Sequence, residues 1–290
     1  MKITTHASRL ILAGAMVFCG SASAYDIGDY YVGSNDHGHG DVIGHKEAFQ
    51  IHGINVSDEI GTKNLIVDVY TNFTDNNGIY PGDTFDGKGI TFGDLFLSNN
   101  WTPFENGTTS TAANGYAGDK HANGTDWSYG FSLTSDRHTA TDDGTSHDGT
   151  LYDLAGKTND PYLLSEDYIN CCTFRNGQEV TVDPADLSAS DIVNTGTWSV
   201  HSTGPDDGNQ ATPDGYIRFN IGKNYQDLFH ADSGDLALHW AMTCGNDTIE
   251  GKTHVGQPPD TIVPEPATLA LMMVGLLGFG ASRRRNGASA

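Results

Sequence analysis

His37 and His39 stand two residues apart in a glycine-rich stretch, followed by Asp41 and His45. In an extended segment, residues two apart point to the same side. Imidazoles so placed are ligands for Zn, Cu or Ni. The flanking glycines make a solvated loop the simpler reading. Carboxylates are far more numerous. Asp83, Asp86, Asp94, Asp142, Asp143, Asp148, Asp206 and Asp207 sit in polar stretches that offer the oxygens Ca²⁺ takes. None has the ligand spacing of an EF-hand loop, so Ca²⁺ is the one cofactor these loops suit, without an assignable ligand set. Glycoside hydrolysis needs two carboxyls facing one bond, and no spacing singles out such a pair. There is no G-x-S-x-G elbow, phosphate loop or dinucleotide fingerprint. The expectation is a protein that is not an enzyme.

Four tryptophans offer flat faces on which sugar rings stack. Trp127, Trp198 and Trp240 fall in apolar, strand-like runs and are expected in the core. Trp101 follows Ser98, Asn99 and Asn100 in a polar loop and is the candidate glycan-binding residue. Cysteine use is sparse. Beyond Cys19, near the N-terminus, the chain has Cys171, Cys172 and Cys244. In an oxidising compartment one bridge is expected, from Cys244 to either Cys171 or Cys172. It closes a loop of about 70 residues and stabilises by about 4 kcal/mol on a chain-entropy basis.

The elements that must hold these groups read as strands. Alternation and β-branched or aromatic content mark residues 49–56, 65–70, 90–97, 127–133, 179–182, 197–201, 216–221 and 236–242. Gly53 interrupts the first as a bulge. Leu65, Val67 and Val69 share one face of the second. Residues 225–230 form a single helical turn. The segment 239–251 reads as the last core strand followed by a polar turn. Residues 98–125 and 134–153 read as long polar loops. The repeated Gly-Asp before Leu95 and Leu236 reads as an aspartate capping a turn. No stretch keeps a helical apolar period. The expected fold is all-β: an antiparallel, jelly-roll-like β-sandwich.

Both ends carry a different signal. Lys2 and Arg9 precede an apolar run over 10–18, and Ser21-Ala22-Ser23-Ala24 supplies the small residues of a signal-peptidase site after Ala24. The chain has 15 Lys and Arg against 37 Asp and Glu, a net charge of −22. Lys2, Arg9 and three C-terminal arginines belong to the ends, so the part between them is more acidic still. Such a charge repels nucleic acid and anionic membranes, and no nucleic-acid partner is expected.

Near the C-terminus, Pro264-Glu265-Pro266 resists helix formation. Fifteen residues from Ala267 to Ala281, interrupted by three glycines, then run to Arg283, Arg284 and Arg285. A helix of that length spans roughly 22 Å, short of a hydrocarbon core of about 30 Å. The arginines hold to the cytoplasmic side. This arrangement resembles the PEP-CTERM sorting signal of Gram-negative bacteria. The resemblance implies processing by exosortase, transient insertion of a short hydrophobic helix in the inner membrane, and a role beside exopolysaccharide in a biofilm or matrix. Pro264, Glu265 and Pro266 are then the recognition residues, and Arg283, Arg284 and Arg285 set topology.

The expected organisation is a signal peptide over 1–24, an acidic β-sandwich over 25–255, a proline-rich linker over 256–263 and the sorting signal over 264–290. The expected function is that of an exported structural or adhesive surface protein, with a lectin-like, Ca²⁺-assisted module as the alternative.

Overall fold

The computed structural model describes residues 25–33, 41–74, 90–105, 116–134, 136–137, 140–157, 162–165, 175–203 and 211–256. The expected signal peptide over 1–24, the expected linker beyond residue 256 and the sorting segment lie outside them, as do His37, His39, Cys171, Cys172, Asp83, Asp86, Asp206 and Asp207.

The described chain is mostly β. Its strands are β1 (Ile27–Gly28), β2 (Ile51–Asp58), β3 (Leu65–Thr71), β4 (Leu95–Ser98), β5 (Tyr129–Ser132), β6 (His147–Asp153), β7 (Tyr162–Leu164), β8 (Glu179–Val182), β9 (Ile192–Ser202), β10 (Gly215–Asn220), β11 (Gly234–Ala241) and β12 (Thr248–Val255). Two short helices accompany them, α1 (Lys46–Phe49) and α2 (Tyr225–Phe229). Asn224 caps α2 by accepting the amide of Asp227.

Ten strands form one antiparallel sheet in the order β1-β2-β3-β10-β9-β6-β5-β4-β11-β12, and β7 and β8 form a separate ribbon. The two layers expected of a sandwich are two parts of this single sheet, curled until its edge strands meet. Gly251 of β12 permits that meeting, because a Cβ there would lie 2.6 Å from the Ile27 side chain of β1. The ladder slips between Ile51 and Gly53, where the sequence suggested a bulge.

Alternation along the strands divides the interior into two compartments. Inside the curl, Leu65, Val67, Val69, Leu95, Leu97, Phe131, Leu151, Trp198, Ile217, Phe219, Leu236, Leu238, Trp240 and Ile249 form the main apolar core. The opposite face of β4 and β11 presents Phe96 and Ala237, which pack with Trp127, just before β5, and with Tyr152, Leu154 and Val182 in a second cluster. The β7–β8 ribbon covers it. Gly130 allows that cover, since a Cβ there would come within 2.5 Å of Val182.

Asp94 fastens the ribbon to the sheet. It is fully buried. Its Oδ1 accepts the Leu133 amide at 2.8 Å and the Arg137 guanidinium at 2.6 Å, and its Oδ2 accepts the Val182 amide at 2.7 Å. Asp235, in the second Gly-Asp, is half-exposed and pairs with Lys252 instead. The two matching pentapeptides therefore share a strand start and not a role. Asp94→Ala strands two buried amides and a cation, and is expected to cost about 3 kcal/mol or more. A melting temperature lowered by roughly 10 °C is the expected reading, and an unchanged melt would show that the clamp is idle.

Candidate functional site

The second compartment holds a cluster of ionisable residues. His239 of β11 and Glu250 of β12 are cross-strand partners, and both are buried. His239 Nδ1 lies 3.1 Å from Glu250 Oε2, and its Nε2 lies 2.8 Å from the Glu179 carbonyl. A carbonyl only accepts, so Nε2 carries a proton. Glu250 Oε1 accepts the Trp101 indole N–H at 2.8 Å and the Thr125 hydroxyl at 3.0 Å. Glu179, on β8, accepts the Trp127 indole N–H at 3.1 Å. Asp119 accepts the Tyr31 hydroxyl at 2.8 Å through Oδ2 and the Phe104 amide at 2.8 Å through Oδ1.

Aromatic rings wall the cluster. Trp127 and Phe96 lie 5.7 and 5.9 Å from the His239 ring, and Tyr31 meets it edge-on at 6.4 Å. The low polarity of this wall governs protonation. Burial, with the charge of Glu250 added, raises Asp119 to about 6. Burial raises Glu179 to about 7, against the pull of His239. Burial alone would lower His239, but its hydrogen bond to Glu250 and the nearby carboxylates raise it. The arrangement can store and exchange protons near neutrality. The oxygens described above are turned to donors within the protein.

The sequence-predicted residues separate in space. Trp101 is half-buried, with its N–H committed to Glu250. Trp127, Trp198 and Trp240 are in the core as expected. Cys244 is fully buried, and both its candidate partners fall outside the described residues. His45 is exposed and bonds Glu47 at 2.9 Å. Asp143 is exposed and closes a local turn on the Thr145 amide, and Asp148 is exposed too. Asp41 instead joins Asp29 and Asp247 in a carboxylate group of its own. The segment 239–251 is not a strand and a polar turn. It is two paired strands and their connection, and residues 239–251 are all buried.

Asp119, Glu179, His239 and Glu250 escaped sequence reasoning as a group because they come from three distant places, two of them sharing one hairpin. Only His239 and Glu250 gave a signal, eleven residues apart in a segment unusually rich in both apolar and acidic residues.

The chain outside the described residues supplies the functional assignment. Residues 263–285 match the PEP-CTERM protein-sorting motif. That motif marks an exported bacterial protein that exosortase sorts to the cell surface. The match takes in Pro264, Glu265, Pro266 and Arg283, Arg284 and Arg285. No curated protein and no solved structure matches the chain. Among the described residues no helix is long and apolar enough to cross a membrane.

The raised pKa values set a direction for stability. Each of Asp119 and Glu179 binds its proton more tightly folded than unfolded. The stability they supply is whole below about pH 4 and is lost as pH rises through about 6 and 7, by about 3 kcal/mol for each. Thermal melts are therefore expected to fall between pH 5 and pH 8. Glu179→Gln keeps an acceptor for Trp127 and should flatten that fall, with a higher melting temperature than the parent at pH 8. A melt that rises with pH over this range would contradict the buried-carboxyl account.

Proposed function

We propose that the β domain is a non-catalytic structural or adhesive module of a Gram-negative exopolysaccharide matrix, delivered to the surface by its C-terminal sorting motif. The match at 263–285 carries this reading. The architecture is consistent with it. A hydrolytic carboxyl pair must meet substrate and water, whereas Asp119 and Glu179 are only 2% and 4% exposed. The strong net negative charge suits an extracellular body that stays dispersed.

A lectin-like second reading has one favouring observation, and it is not Trp101. On the outer face of the sheet, Tyr70 of β3, Tyr216 of β10 and His201 of β9 stand in register. Their rings follow one another at 5.3 and 4.7 Å, and all three are half-exposed. Arg218 lies over Tyr216 and is held in a fork by Asp68, with two bonds of 2.7 Å. Stacking rings beside fixed polar groups are the elements of sugar recognition.

Two measurements follow. Replacing Pro264, Glu265 and Pro266 together by alanine in the host is expected to abolish surface display and leave a membrane-associated, unprocessed chain; unchanged processing and location would refute the sorting assignment. In a pull-down on the host's exopolysaccharide, the lectin reading expects Tyr216→Ala to weaken binding about tenfold, the equivalent of roughly 1.4 kcal/mol, and Trp101→Ala to weaken it less. Equal retention of parent and Tyr216→Ala would leave the structural reading alone.

A further inference from the structure

Away from the histidine cluster, three carboxylates from distant parts of the chain converge. Asp29 follows β1, Asp41 precedes α1, and Asp247 lies in the turn between β11 and β12. Each offers an oxygen, and the three oxygens all lie within 4.8 Å of one another. Oxygen ligands sit about 2.3–2.6 Å from Ca²⁺, so opposite ligands of one ion are about 4.6–5.2 Å apart. The set fits around a single ion.

The site is built from the inside. Asp247 is fully buried. The amides of Ile51 and Thr248 fix its two oxygens at 2.7 and 2.8 Å. Gln50 holds Asp29 Oδ2 at 2.7 Å. Asp29 Oδ1 is buried and accepts no hydrogen bond. A buried carboxylate oxygen left without a donor, within a group of three carboxylates, points to an occupant.

Charge gives the same direction. Arg175, itself buried, is the cation that acts on all three carboxylates. Lys46 approaches Asp41 from the solvent side at 3.9 Å, beyond hydrogen-bond length. Three carboxylates against the Arg175 guanidinium and the Lys46 ammonium still leave a negative excess. Burial, and then the charge of Asp41, raises Asp29 to about 8. Burial and Asp29 raise Asp247 well above the ordinary carboxyl range.

We propose that Asp29, Asp41 and Asp247 form a Ca²⁺ site that ties the first strand of the domain to its last hairpin. The ligands are all oxygen, with no histidine or cysteine among them, which selects a hard cation. Their irregular supports suit Ca²⁺ better than octahedral Mg²⁺. Three carboxylates on loops place the affinity near that of extracellular modules, about 10⁻⁴–10⁻³ M. None of the acidic loops singled out in the sequence contributes a ligand.

The test is a thermal melt of the full chain, stripped with EDTA, with CaCl₂ or MgCl₂ added. At about 10 mM CaCl₂ the parent is expected to gain roughly 5–10 °C. MgCl₂ should give less. Asp41→Asn, at the half-buried rim, is expected to fold and to lose most of the Ca²⁺ gain. Asp29→Asn should lose it as well. A parent that does not respond to CaCl₂ overturns the proposal. A full response retained in both variants also overturns it and moves any Ca²⁺ to another part of the chain.

Discussion

The pairing of His239 with Glu250 is the contact on which this domain's organisation turns. It joins β11 to β12 at a point where both strands present polar side chains to an enclosed space. Everything around it answers that polarity. Trp101 and Thr125 donate to Glu250, the Glu179 carbonyl accepts from His239, and Tyr31 and Asp119 close the near side. Four segments far apart in sequence are thereby drawn over one face of the sheet. Buried ion pairs are seldom better than apolar packing in net stability. What this one fixes is register. A slip of one residue in β12 would turn Glu250 into the main core and Ile249 out of it, so only one pairing of the last hairpin leaves both compartments satisfied.

Much of the fold could be read from the chain because the main core obeys simple alternation. Val67 and Val69 of β3, Ile217 and Phe219 of β10, and Leu236 and Leu238 of β11 all point inward together, and each strand was legible on that basis. The second compartment broke the rule. β12 reads Thr248, Ile249, Glu250, with polar residues buried on one side, so it resembled a turn. β6 carries His147, Asp148, Gly149 and Thr150 before its apolar residues, so it resembled loop. Phe49 looked like the start of a strand but ends α1, and its ring still enters the core. The site residues were harder still. A carboxylate's burial depends on which distant donor it meets, and Asp119 meets Tyr31 across 88 positions. No local pattern encodes that.

The acidity of the chain also divides by location. Surface acids such as Asp143, Asp191 and Asp235 are held below the usual carboxyl range by local hydrogen bonds. They favour the folded state at neutral pH and cease to do so in acid. The buried Asp119 and Glu179 behave in the opposite sense, and their stabilising protons leave as the pH rises. The domain is thus confined from both sides, with greatest stability on the mildly acidic side of neutrality. A composition that suggests only solubility in fact contains two populations of carboxyl groups with opposed responses.

The order in which the chain leaves the cell gives the closure of this sheet a further consequence. β1 pairs with β2, but the segment from Ile43 to Ile51 has partners at the far end of the domain. The Ile51 amide bonds Asp247 across 196 positions, and Asn246 bonds the Ile43 carbonyl across 203. Contacts of that separation form late, because the loop must close before it is rewarded. Neither compartment is complete until β12 is present, and β12 ends at Val255, shortly before the sorting motif begins at 263. An exported chain that emerges N-terminus first therefore cannot finish its core until almost the whole of it has crossed. Folding of the domain and presentation of the motif are brought close together by topology alone, with no separate timing device in the described structure.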